Sequence, residues 1–405
     1  MPSPDTNERH VLLLCGVTHF FAHFFMILFP SLTLWIHDDL GISMASTLEL
    51  GFIMYLLFGF MAVPMGALGD RWSNRNMLIA MMFGITAGCA VCAVASGPSA
   101  LTAGLAIIGF FASIYHPVGM AMISHCCINR GQALGNNGVW GSFGIGLAPI
   151  MAGVAGYAVG WRWTFVVYGA VTLLVGFLLL RISVDERPLE RTGMAGHERE
   201  GQGMLSYFVV MLVCMTLVGL CYRGTVVSIP AHFEENMKML VGLFTLEGRI
   251  GDRKLGTTLL VSAMYLFGAF GQIVGGRVAD RWDLRKGYLL FHATSLPFML
   301  GMAWFTEAPL LVVALVYVFF GLGMQPIENS LVARLTPPHL RSLGYGLKFI
   351  LVLGFSAFSV KGVRWLMEQE RGADLYLVQG GLIAAVVALI AILWIQSRKL
   401  SWMNA

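Results

Sequence analysis

Twelve long apolar runs follow one another almost end to end, at 11–36, 47–69, 77–96, 101–124, 132–157, 163–182, 205–230, 256–279, 288–306, 309–333, 343–367 and 375–396. Each holds about 19–26 residues, and at 1.5 Å per helical residue that length crosses a hydrocarbon layer roughly 30 Å thick. Only 12% of the 405 residues are charged and 57% are hydrophobic, whereas soluble domains carry roughly 25% charged residues. So little polar side chain leaves no coat for a soluble globule, and the expected solvent is lipid. Gly, Ala, Leu and Met dominate the runs, and none shows the alternation of a membrane strand. The 48 glycines suit close helix approach in lipid. The predicted fold class is an all-α polytopic membrane protein with twelve transmembrane helices.

Lys and Arg set the expected orientation. With the N-terminus in the cytoplasm, about sixteen basic residues fall in cytoplasmic loops and ends against about six outside, the positive-inside bias. Both termini are then cytoplasmic, and the expected location is the inner membrane of a bacterium. The first run is too long for a signal peptide and lacks a small-residue cleavage site, so it is read as a retained helix. The net charge of +4 comes from these flanks, and no basic stripe points to nucleic acid.

Other chemistries find little support. Cys89 and Cys92 lie mid-run, and His125-Cys126-Cys127 ends the fourth run. Neither has the second ligand pair of a zinc site, so the cysteines read as small apolar filler, with no metal or cofactor expected. No nucleophile with a base and no Walker sequence is found, so neither an enzyme nor direct ATP driving is expected. A receptor should carry a sizeable added domain, and the insertions 183–204 and 231–255 are too short for one.

The chain also repeats itself. Gly66-Ala-Leu-Gly-Asp70-Arg71-Trp72 answers Gly276-Arg-Val-Ala-Asp280-Arg281-Trp282 about 210 residues on, a separation that suggests duplicated halves. Pro30 answers Pro230, Tyr115-His116-Pro117 answers Met324-Gln325-Pro326, and the turn from Arg130 answers the turn from Arg341. Four anchors in one order predict two pseudo-symmetric six-helix halves, 1–182 and 205–405, joined by a polar cytoplasmic linker, 183–204. Pro30 and Pro230 are expected to end the first helix of each half. Duplicated halves enclosing a midplane site are how many secondary transporters are built.

On these residues the chain resembles the major facilitator superfamily. Its loop pattern G-x-x-x-D-R-x-G-R-R is matched by Gly66, Asp70, Arg71 and Arg75, with Ser73 and Asn74 departing from it. Gly276, Asp280, Arg281 and Arg285 stand at the corresponding places of the second half, with Arg130 and Arg341 at the paired turns. The resemblance implies gating. Gly66 permits close helix approach, and Asp70 meets the positive N-terminal end of the eleventh helix or an arginine when the cytoplasmic side is shut. A finer likeness is to the fosmidomycin-resistance-type branch, carried by Thr18-His19 to His23 and by Tyr115-His116-Pro117. His23 and Val118 stand where that branch has Asp and Glu, and Ala121 where Arg is common. Gly144-x-x-x-Ala148-Pro149 resembles the superfamily's antiporter motif, with Ala148 for a glycine.

Charge inside hydrocarbon is costly and so points to function. The resemblance implies that helices one, four, seven and ten line the cavity. These carry His19, His23, Tyr115, His116, Tyr222, Arg223, Gln325, Glu328 and Asn329. Arg223 is the expected contact for an anion, since its planar fork suits carboxylate or phosphate. A structural Arg223–Glu328 pair is the competing expectation. Lys348 is expected to snorkel to the headgroups. His19, His23, His116 and Glu328 qualify as proton carriers. The expected activity is alternating-access secondary transport by a monomer, a proton-coupled export of a small anionic or amphiphilic organic molecule. Import of an organic anion, metal or metal-chelate transport, and a non-transporting receptor are the alternatives.

Overall fold

The computed structural model describes residues 4–188, 204–243, 253–335 and 346–397, and these fold as helices joined by short turns. In chain order, α1 is Pro4–Leu40. A bent pair, Met44–Phe60 and Ala62–Arg71, forms α2, with 43° between its parts. Next come α3 (Asn74–Ala93) and α4 (Pro98–Cys126). One hydrogen-bonded run, Arg130–Leu179, folds back at Gly160 (φ 81°, ψ 165°) and so supplies both α5 (130–159) and α6 (161–179). Only glycine enters that backbone region without strain. The second half holds α7 (Met204–Asn236), α8 (Arg253–Arg281), α9 (Leu284–Gly301), α10 (Glu307–Leu335), α11 (Gly346–Glu368) and α12 (Asp374–Ser397).

Two expected helix ends are corrected. Helix α1 continues past Pro30 to Leu40, and α7 continues past Pro230 to Asn236. Proline removes the N–H that would bond the carbonyl four residues back. For Pro30 that carbonyl is Met26, and the Tyr55 hydroxyl of α2 donates to it at 3.0 Å. With the orphan acceptor satisfied, the helix has no reason to stop. At α4 the outcome is different. The helix breaks between Ala112 and Tyr115, immediately before Pro117, and this break sets the direction of Tyr115 and His116.

Packing follows the duplication. Within the first half α1 lies along α5 and α3 lies along α4; within the second α8 lies along α10 and α9 along both α10 and α12. Between halves, α5 meets α8 and α2 meets α11. One apolar cluster runs through both halves, with Phe24, Phe29, Phe58, Tyr115, Ile229 and Tyr376 fully buried. Leu174, Phe177, Phe270 and Ile395 face outward and are exposed, as side chains solvated by lipid tails are.

The described ends of the chain lie on one face. Asn7 exchanges hydrogen bonds with the Asp185 backbone at 2.8 and 3.0 Å, and Lys286 lies over the Trp394 ring. On that face Glu186 caps α3, accepting from Ser73 Oγ (2.6 Å) and from the Asn74 and Arg75 amides (2.7 and 3.2 Å). An anion at a helix N-terminus is stabilised by the peptide dipoles. The first residues after α6 are thereby fixed to the first half.

Candidate functional site

The first-half wall of the site is built from imidazoles. His19 and His23, four apart on α1, share a face, and the break in α4 brings His116 to them. Ring centroids lie 4.8 Å apart for His19–His23, 5.7 Å for His19–His116 and 5.2 Å for His23–His116. Tyr115 stacks on His19 at 4.3 Å. Asn137 of α5 orients both: its carbonyl accepts from His19 Nδ1 at 2.8 Å, and its Oδ1 accepts from the Tyr115 hydroxyl at 2.8 Å. His116 Nε2 is buried without a hydrogen-bond partner, and its ring stacks on Phe349 of α11 at 5.0 Å.

The second-half wall corrects two expectations. Arg223 does not pair with Glu328. Its guanidinium lies over the Tyr55 ring, 3.8 Å from the centroid, so α7 reaches across to α2. Arg223 is buried, its Nε has no hydrogen-bond partner, and no described carboxylate pairs with it. Tyr222, Tyr265 and His23 lie near enough to interact with it electrostatically. A guanidinium held on a π face is engaged by Tyr55 and leaves its Nε without a partner.

Glu328 instead bonds Lys348 Nζ at 2.8 Å and accepts from the Tyr288 hydroxyl at 2.8 Å. Lys348 also donates to Asn329 Oδ1 at 2.6 Å. Both charges are buried, with Glu328 3% and Lys348 7% exposed, so Lys348 does not snorkel to the headgroups. Gln325 accepts from Gln272 Nε2 at 3.2 Å, and Gln272 Oε1 accepts from Ser142 of α5 at 2.8 Å, a polar chain crossing between halves.

The two faces of the molecule differ. Opposite the termini, Lys254 of α8 pairs with Asp38 of α1, while Lys361 and Arg364 of α11 both pair with Glu49 of α2. These contacts tie the halves together there. On the termini face Asp70, Arg71, Asp280 and Arg281 are exposed, and none forms an ion pair among the described residues. Two members of the loop motifs are engaged inside their own half. Arg75 donates to the Ile182 and Leu180 carbonyls at 2.6 and 2.8 Å, and Arg285 pairs with Asp283 at 2.6 Å. Gly66 faces Pro117 of α4, whereas Gly276 faces open space. Arg130 is exposed at the start of α5, and Arg341 lies outside the described residues.

The sequence pattern of the Major Facilitator Superfamily matches residues 12–360, most of the chain. This protein belongs to that superfamily. Among its relatives, the D-galactonate transporter of Escherichia coli is 24% identical over 398 residues, covering 90% of each chain. The probable actinorhodin transporter of Streptomyces coelicolor is 29% identical over 155 residues, 36% of this chain and 26% of that relative. The chain therefore spans about a quarter of the latter's length in that match. In solved structures, a peptide transporter, POT, in complex with alafosfalin aligns at TM-score 0.74 with 14% identity, over 97% of this chain and 98% of that one. A bacterial homologue of the human lysosomal transporter Spinster aligns at TM-score 0.69 with 13% identity, over 97% and 96%. The chain has the major facilitator fold and is a membrane transporter of that type.

Within this transporter, sequence reasoning missed Tyr55, Tyr265, Tyr288 and His292. His292 Nε2 and the Tyr265 hydroxyl are buried without hydrogen-bond partners, and the His292 ring meets Tyr288 edge-on at 4.5 Å. A tyrosine in an apolar run reads as packing, and no local signal marks one that serves a charge on another helix. The seven cysteines are free and buried.

Proposed function

We propose that this superfamily member is a proton-coupled secondary transporter that exports a small organic anion by alternating access between its halves. The observation that carries the reading is Arg223, a buried guanidinium with no carboxylate partner among the described residues. Burying an unpaired charge is costly, so the site is incomplete until an anion arrives. The match to a D-galactonate transporter over nearly all of both chains supports an anionic cargo. The antiporter-like Gly144-x-x-x-Ala148-Pro149 and the branch likeness around His19 and His116 support export. A second reading, uptake of a sugar-acid anion together with protons, is favoured by the same full-length match. Opposite pH gradients across vesicles of one orientation separate the two.

Arg223→Ala is expected to lower transport kcat/KM by about 10–150-fold, the value of one charge-assisted hydrogen-bond set of about 1.5–3 kcal/mol. Arg223→Lys should recover only part, since an ammonium lacks the fork. Counterflow of labelled organic acids in proteoliposomes measures this. Wild-type rates in Arg223→Ala would remove the anion assignment.

We assign the coupling proton to Glu328 in preference to the histidines, because it is the one fully buried carboxylate among the described residues. It faces Lys348 on α11, Tyr288 and His292 on α9, and Cys214 on α7. Protonation would end its attraction for Lys348 and free the ammonium.

With the termini assigned to the cytoplasm by the Lys and Arg bias, the Asp38 and Glu49 pairs support reading the outer face as shut. Glu49→Gln weakens that closure. At about 0.5–1 kcal/mol for each partly exposed pair, its two pairs shift the balance roughly 5–30-fold toward outward-open. The readout is thiol labelling from outside of a cysteine placed at Phe52, which packs on Phe358 at 5.6 Å. Unchanged labelling would contradict the gate.

A further inference from the structure

The imidazole cluster differs in kind from the rest of the site. Three ring nitrogens, one each from His19, His23 and His116, lie within 4.8 Å of one another. No other group of three metal-capable side chains occurs among the described residues. Among the described residues the charged groups that act on the rings are Arg223 and Lys348, and no acid does so. An arrangement meant to hold a proton on histidine usually supplies a carboxylate beside it. Here each ring presents a lone pair instead.

His19 is already set for ligation. Because the Asn137 carbonyl can only accept, Nδ1 carries the hydrogen at 2.8 Å and Nε2 keeps its lone pair. A ring N–H donated to a carbonyl is the usual outer support of a metal-bound imidazole, fixing tautomer and direction. Tyr115 holds Asn137 from the other side. His116 Nε2 is buried and unpartnered, so it lacks the partner that a buried nitrogen requires. No hydrogen bond among the described residues ties the His23 ring either, so both rings are free to turn inward. Metal–nitrogen distances of about 2.0–2.1 Å place ligand nitrogens roughly 3.3 Å apart, a closure that ring rotation supplies.

We propose that His19, His23 and His116 bind a divalent transition-metal cation of zinc type, leaving one coordination position open toward Arg223. Three protein nitrogens and an open position is the pattern of an exchangeable site. A bare dication near a guanidinium is repelled, so the open position takes an anionic group that Arg223 holds from its other side. That second part rests on reading Arg223 as the anion contact. The metal site itself does not.

The test uses tag-free, full-length protein in detergent, titrated with Co2+ and then with Zn2+. Wild type should bind one Co2+ per chain with the visible bands of a four- or five-coordinate nitrogen site, displaced by Zn2+. His116→Gln should weaken binding at least ~100-fold while melting as wild type does. Asn137→Ala keeps all three imidazoles and the backbone carbonyl that accepts from His19 Nδ1 and loses only the anchor of Tyr115, so its loss should stay below the ~10–100-fold of a broken outer support. Cobalt binding that is absent from wild type, or as tight in His116→Gln as in wild type, overturns the metal site. Azide is the anion probe. It should shift the cobalt bands of wild type and not of Arg223→Ala; an equal shift in both overturns the anion bridge and leaves the metal site standing. Because these readouts involve no transport, their failure is distinguishable from failure of the transport reading.

Discussion

Lys348→Met alone is expected to destabilise the protein by about 3–5 kcal/mol, and Lys348→Met with Glu328→Gln to restore most of that loss. The single change leaves a carboxylate that is 3% exposed with only the Tyr288 hydroxyl to stabilise it. Removing one partner of a buried pair strands the other charge, and the cost is the desolvation that the pair had offset. Neutralising both partners removes the problem at its source. Transport separates stability from coupling. The double variant should carry anion down its own gradient but fail to accumulate it against one when a pH gradient is imposed. Melting temperatures in detergent and gradient-driven flux in proteoliposomes are the two measurements. A Lys348→Met protein as stable as wild type would show the pair to be solvated. A double variant that still accumulates substrate would remove Glu328 from coupling.

The same pair shows where the sequence stops being legible. Spans, duplication and gate loops are written in long-range patterns that survive any rotation of a helix about its axis. Partners are not. Lys348 reads as a headgroup-seeking lysine because it lies close to the cytoplasmic end of its run, but closeness to an end does not fix the face, and Ile350–Gly354 is a π-turn, followed by a 3-10 turn at Phe355–Ala357. Each departs from 3.6 residues per turn, so a regular helical wheel does not give the face on which Lys348 lies. In water an amphipathic stripe would report the inward face. In lipid the outward face is apolar as well, so Tyr55 and Tyr288 look like any other filler. Arg223 and the three histidines were legible for the opposite reason: lipid tolerates such groups only where something answers them.

Gly59→Val is expected to abolish transport, by at least ~100-fold, and to hold the outer face open. Helices α2 and α11 cross at Gly59 and Gly354 so closely that a Cβ on Gly59 would land on the Leu353 and Gly354 backbone. A Cβ on Gly354 would in turn press on Phe60. A helix backbone has no flexible end to move aside, so a side chain there pushes the axes apart toward the ordinary 8–10 Å of packed helices. The crossing lies between the Glu49 pairs at one end and the looser approach of Gly346 to Val63 at the other. Wedging it apart therefore breaks the outer ion pairs first, and the π-turn that seats Gly354 loses its support. Gly362→Ala is the control: it lies on the same helix with nothing within 4 Å of its Cβ position, so transport should be unchanged. Flux and outside labelling at Phe52 report both variants. A Gly59→Val protein with wild-type flux and a protected Phe52 position would mean that this crossing is not the seal, and that outer closure rests on the ion pairs alone.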